Sequence, residues 1–79
     1  MVAALSDDEV ARQILGIFGE HHVRPGGALW RNNFLKVRNG DFRRGLDKAV
    51  EVGWIKKTRN RYKYELTEAG FAEVRKHAL

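Results

Sequence analysis

The sequence predicts an α+β domain in which three helices precede a β-hairpin and a closing helix. Three observations carry this. Apolar residues recur at helical spacing in two stretches, Val10, Ile14, Ile17 and Phe18, then Phe42, Leu46, Ala49 and Val50. Two short runs, residues 54–58 and 62–66, alternate aromatic or branched residues with polar ones, as half-buried strands do. Gly26-Gly27 and Gly53 stand where one pattern ends and the next begins.

The first helix is predicted over residues 6–20. Ser6 and Glu9 have the spacing of a capping box, and Leu5 and Val10 that of a hydrophobic staple. Asp7, Asp8 and Glu9 fall in the first turn, where the helix dipole favours acids. Arg24-Pro25-Gly26-Gly27 is a turn, with no phosphate-loop pattern around it. A second, short helix is predicted over residues 28–37 from Leu29, Trp30, Phe34 and Val37; a strand over 27–29, adding an edge to the hairpin, is the alternative. The third helix runs over 41–52, with Asp41 or Asn39 as N-cap and Gly53 as the residue that ends it. Its small Ala49 suits close approach of a neighbouring helix. Asp47 and Glu51 are expected to pair with Arg43, Arg44 or Lys48 at helical spacing. Ile55, Tyr62, Tyr64 and Leu66 are candidates for the covered face of the hairpin, with Arg59-Asn60 at its tip. Thr67 caps a last helix over 68–78, whose apolar stripe is Phe71, Val74 and Ala78.

Seventy-nine residues suit a single domain over 1–79, with a small core. At 43% hydrophobic and 32% charged residues the chain reads as globular rather than disordered. It has no cysteine, which removes disulfides, thiolate metal sites and cysteine nucleophiles. A cytoplasmic location is expected. No apolar run approaches membrane-spanning length, and the first ten residues lack the basic and long apolar regions of a signal peptide.

Catalytic constellations are missing from the sequence. The one serine, Ser6, is explained as a cap, and no histidine–carboxylate pair is evident by spacing. His21 and His22 are adjacent, so they diverge on a helix, and His77 is distant in sequence. No enzyme, no metal site and no cofactor are expected.

Charge is the informative feature. The net charge of +5 conceals an asymmetry: residues 1–23 carry −3, residues 24–63 carry +9, and residues 64–79 carry −1. The span from Lys56 to Lys63 holds five bases and no acid. Such concentration points to a polyanionic partner. The bland alternative is a solvated edge, where Lys and Arg discourage strand pairing.

The order helix, helix, turn, helix, hairpin, helix resembles the winged helix-turn-helix superfamily: a three-helix core, a β-hairpin wing and a C-terminal helix. Leu46, Ala49 and Gly53-Trp54-Ile55 look like the end of a recognition helix entering the first wing strand. Leu66-Thr67-Glu68-Ala69-Gly70 looks like the segment that leaves the wing in MarR-like and PadR-like regulators. The resemblance implies a small transcriptional regulator that binds double-stranded DNA. It places Asn39, Arg43, Arg44 and Lys48 toward the major groove, and Lys56, Lys57, Arg59, Asn60, Arg61 and Lys63 on the wing. The chemistry agrees, since arginine reads guanine, asparagine pairs with adenine, and wing cations neutralise phosphates. The chain departs from these regulators in having no long terminal helix for dimerisation and no effector pocket. The alternative function is a protein-interaction domain, an adaptor or subunit, or a homodimer. A third reading, RNA binding, requires the hairpin tyrosines to face outward.

Overall fold

The first helix, α1 (Asp7–Glu20), begins where its cap chemistry predicts. The structure is a computed structural model that describes residues 6–77, so the staple residue Leu5 lies outside the described residues. Ser6 Oγ accepts the Glu9 N–H at 3.1 Å, and Glu9 Oε1 accepts the Ser6 N–H at 3.1 Å. The buried face is wider than the predicted stripe. Ala11 and Leu15 join Val10, Ile14, Ile17 and Phe18 because α1 is covered from two sides, by α2 (Asn39–Glu51) and by α3 (Glu68–His77). An Arg12–Glu73 ion pair at 2.9 Å ties α1 to α3.

α1 closes with a Schellman motif: the His22 N–H donates to Gly19 O at 3.0 Å and the Val23 N–H to Phe18 O at 3.1 Å. His22 therefore sits at φ 53°, a left-handed conformation that costs a side chain roughly 1–2 kcal/mol. Replacing the exposed His22 with glycine is expected to raise stability by about 1 kcal/mol, less whatever glycine loses in chain entropy. Urea denaturation reads this as a higher midpoint at unchanged slope.

The turn that follows is of type II. Gly26 has φ 86° at its third position, and the Gly27 N–H donates to Arg24 O at 2.8 Å.

The predicted helix over 28–37 does not form. In its place are a strand, β1 (Ala28–Trp30), and a 3-10 turn (Arg31–Phe34). Two forces decide this. The hairpin edge offers backbone groups that need partners, and the chain supplies them: Gly26 N–H to Leu66 O, Leu66 N–H to Gly27 O, and Arg31 N–H to Tyr62 O, all at 2.7–2.8 Å. Asn33 also competes with the helix, its Oδ1 accepting the Trp30 N–H at 2.8 Å. Leu29, Phe34 and Val37 still reach the core, whereas Trp30 is turned out.

α2 starts two residues before the prediction. Its N-cap is Arg38, which makes no side-chain cap bond, so neither Asn39 nor Asp41 plays that part. α1 packs tightly on α2 at Gly45, one turn before Ala49. A Cβ at Gly45 would lie 2.9 Å from the Val10 carbonyl carbon, so only glycine lets the helices meet at this depth. Gly53 ends α2 as predicted, at φ 84°, with the Gly53 N–H on Val50 O and the Trp54 N–H on Ala49 O.

β2 (Ile55–Lys57) and β3 (Lys63–Leu66) form the hairpin, and the antiparallel sheet has the order β1-β3-β2. Register pairs Ile55 with Leu66, Lys57 with Tyr64 and Leu29 with Tyr64. Leu29, Ile55, Tyr64 and Leu66 face the helices and are buried. Tyr62 does not join them. It belongs to the connection rather than to β3, its N–H is taken by Asn60 Oδ1 at 2.9 Å, and it is 56% exposed.

α3 is capped as predicted, the Gly70 N–H donating to Thr67 Oγ1 at 3.0 Å. The same hydroxyl lies 2.9 Å from Trp54 O, docking the start of α3 onto the joint between α2 and β2. Phe71 and Val74 pack against the core; Ala78 lies outside the described residues. At the centre, Phe34 touches Phe18 and Phe42 with ring centroids 5.6 and 5.3 Å apart, and Tyr64 closes the cluster at 5.5 Å from Phe42. Among the described residues no helix is long and apolar enough to cross a membrane.

Candidate nucleic-acid interface

A groove of about 790 Å³ lies between α2 and the hairpin tip. Its helical wall presents Asn39, Arg43 and Asp47, and its hairpin wall Lys57, Arg59, Asn60 and Arg61; Phe42 and Tyr64 lie beneath. The groove exists because Gly53 turns the chain straight from α2 into β2, which sets the hairpin beside the helix that precedes it. Burial pushes the Tyr64 phenol up from its ordinary value, and the charge of Arg31 pulls it partly back.

The hairpin tip is ordered by its own polar side chains. Thr58 Oγ1 lies 3.0 Å from both Asn60 O and Lys63 O and accepts the Asn60 N–H at 3.2 Å. The Lys63 N–H donates to Asn60 O at 3.0 Å. These bonds occupy the inward polar groups of the turn, and Arg59 and Arg61 are left exposed on it. Lys57 Nζ reaches across the groove to Asp47 Oδ1 at 3.5 Å. Asp47 thus pairs with the hairpin rather than with a base on its own helix, while Glu51 takes Lys48 at helical spacing, 3.8 Å away.

Of the ten predicted site residues, six line this groove: Asn39, Arg43, Lys57, Arg59, Asn60 and Arg61. Arg44 and Lys48 do not. Arg44 bonds Asp7 at 2.8 Å and Asp41 at 2.6 Å, and Lys48 lies 3.9 Å from Asp8, so both turn toward the acidic first turn of α1. The hydrogen bond to Asp41 chiefly raises the Arg44 pKa, with some opposing desolvation and support from the charge of Asp7. Lys56 and Lys63 sit on the outer face of the sheet, opposite Glu65 and Trp30 respectively. Among the described residues Arg43, Arg59 and Arg61 enter no ion pair.

Arg31 is a member of the groove that sequence reasoning passed over. Its guanidinium donates to Phe34 O at 3.0 Å, to Val37 O at 3.4 Å and to Asn39 Oδ1 at 2.6 Å, and lies 4.1 Å from the centroid of Phe42. It therefore clamps the 3-10 turn to the first residue of α2 and fixes how Asn39 is presented. Since arginine only donates, Oδ1 faces Arg31, and the Asn39 amide N–H groups are left for the groove. No local pattern marks Arg31, because its partners come into reach only once β1 has turned the chain. The exposed histidines His21 and His22 belong to no group of residues able to hold a metal among those described. Comparison with protein-family models, with curated proteins and with solved structures finds no match.

Proposed function

We propose that this chain is a small duplex-DNA-binding protein of the winged helix-turn-helix kind, acting in transcriptional regulation. The observation that carries the reading is the convergence around one groove, between a helix and a hairpin, of three arginines that enter no ion pair among the described residues, Arg43, Arg59 and Arg61. A phosphate entering there meets cations that need not break an existing pair. Counterion release from the duplex then drives association.

The assignments within the groove differ in kind. Arg43 and Asn39, on the exposed side of the first turns of α2, are the candidates for base contact, by guanine pairing and by amide donation. Arg59, Arg61 and Lys57 anchor the backbone and carry no sequence information. With two α2 cations directed to α1, anchoring outweighs reading, and one copy recognises at most a half-site.

An adaptor role would be favoured by a contiguous exposed apolar patch. Trp30 is exposed, but its strand neighbour Lys63 lies over its ring, so the surface is mixed rather than apolar.

The test is a titration of mixed-sequence duplex DNA at several salt concentrations. The expected log–log slope of affinity against salt is about −4 to −5, for roughly five neutralised phosphates. No binding at low salt, or a slope near zero, rejects the reading and favours the adaptor.

A further inference from the structure

At the groove's edge the chain exposes two large aromatic rings that its core does not use, Tyr62 lining the groove itself and Trp30 lying beyond it. Trp30, at the end of β1, is 48% exposed, and Tyr62, at the end of the hairpin connection, is 56% exposed. They are neighbours across the sheet: the Arg31 N–H donates to Tyr62 O at 2.7 Å, and Trp30 pairs in register with Lys63. Together with Arg31 and Asn32 they line a shallow cleft of about 380 Å³. Each ring has its own cation. Lys63 Nζ lies 5.6 Å from the Trp30 centroid, and the Arg61 guanidinium 6.0 Å from that of Tyr62. The other tryptophan shows what a structural role looks like here. Trp54 is half-buried against the core, beneath Arg12.

Exposed rings flanked by cations are the elements of a single-strand platform, in which bases stack on the rings while the cations follow the phosphates. A partner with an apolar protein surface would have to bury Arg61 and Lys63 without counter-charges; a nucleotide brings one with every base. We propose that Trp30 and Tyr62 form a stacking platform for unpaired nucleotides of a single-stranded DNA tail adjoining the duplex held in the groove. Asn32, exposed and lining the same cleft, can hydrogen-bond a base edge. This rests on the duplex-binding reading, and it narrows the preferred substrate to duplex next to single strand.

Three ligands test it: a blunt duplex, the same duplex with a short thymine tail, and the same duplex with an abasic tail. The Trp54→Phe variant leaves Trp30 as the only tryptophan reporter. The thymine tail is expected to tighten binding about five- to 150-fold per stacked base relative to the abasic tail, and to quench Trp30 fluorescence. Trp30→Ala, at an exposed position outside the groove, should abolish that gain while blunt-duplex affinity persists; Tyr62 also lines the groove, so Tyr62→Ala is judged only by loss of the difference between thymine and abasic tails. Circular dichroism checks that each variant is folded. Equal affinity for blunt, thymine and abasic ligands overturns the platform and leaves the duplex reading standing. Equal gain from thymine and abasic tails also overturns it, since phosphate charge alone would then explain the gain. Failure to bind any of the three overturns both. Self-association dispersed by Trp30→Ala would assign the patch to a second copy, again against the proposal.

Discussion

Arg59→Ala combined with Arg61→Ala is expected to weaken binding to every duplex sequence alike, by about sixtyfold near 0.1 M salt. The magnitude follows from counterion release. A log–log slope of about −0.9 per neutralised phosphate makes each contact worth about eightfold at that salt concentration, and two contacts multiply. The slope should fall by about 2 in the same variant. Neither arginine has an ion pair to lose among the described residues, so removing both leaves no buried acid uncompensated, and the fold should be unaffected. Arg44→Ala is the contrasting control. Its guanidinium is engaged by Asp7 and Asp41 on the far side of α2, so the salt slope should not move. Undiminished binding by the double variant would refute the assignment of the hairpin tip. A loss confined to particular DNA sequences would refute its role as a backbone anchor.

Phe34→Ala is expected to cost about 3–5 kcal/mol. A chain of 79 residues has a total stability of about 4–12 kcal/mol at typical values per residue, so the variant forfeits a large share of the margin. Phe34 is fully buried and lies against Phe18 on α1, Phe42 on α2 and Tyr64 on β3, so its ring joins three elements. Truncation leaves a cavity that those three cannot close together, because Gly45 already holds α1 and α2 in close contact. The adjacent Leu35 is 74% exposed, and Leu35→Ala should change stability by no more than about 0.5 kcal/mol. Urea denaturation of the two variants decides. A Phe34→Ala loss as small as that of Leu35→Ala would show that the aromatic cluster is not the centre of the core.

Much of the fold was legible because its signals are local. The capping box at Ser6, the cap at Thr67, the end of α2 at Gly53 and the covered residues Ile55, Tyr64 and Leu66 each depend on neighbours within a few positions or on simple alternation. The stretch over 28–37 was legible only in part: the alternative strand over 27–29 is close to the observed β1, but the helix preferred for the stretch does not form. Its apolar spacing fits a helix, but the backbone of β1 pairs with β3, and Leu29 lies opposite Tyr64, far along the chain. Tyr62 failed for a related reason: alternation cannot say where a strand stops, and the Asn60 side chain ends the regular pattern before it.

The same division runs through the candidate site. Composition and local pattern are enough to show that the middle of the chain is strongly basic, that a helix leads directly into a hairpin, and that the hairpin carries no acid between Lys56 and Lys63. Which of the cations are engaged elsewhere depends on how the helices pack. The α1–α2 crossing at Gly45 brings Asp7 and Asp8 within reach of Arg44 and Lys48, and it leaves Arg43 on the opposite side with Arg59 and Arg61. Net charge is a property of composition, whereas an ion pair depends on distances of a few ångströms between residues far apart in the chain.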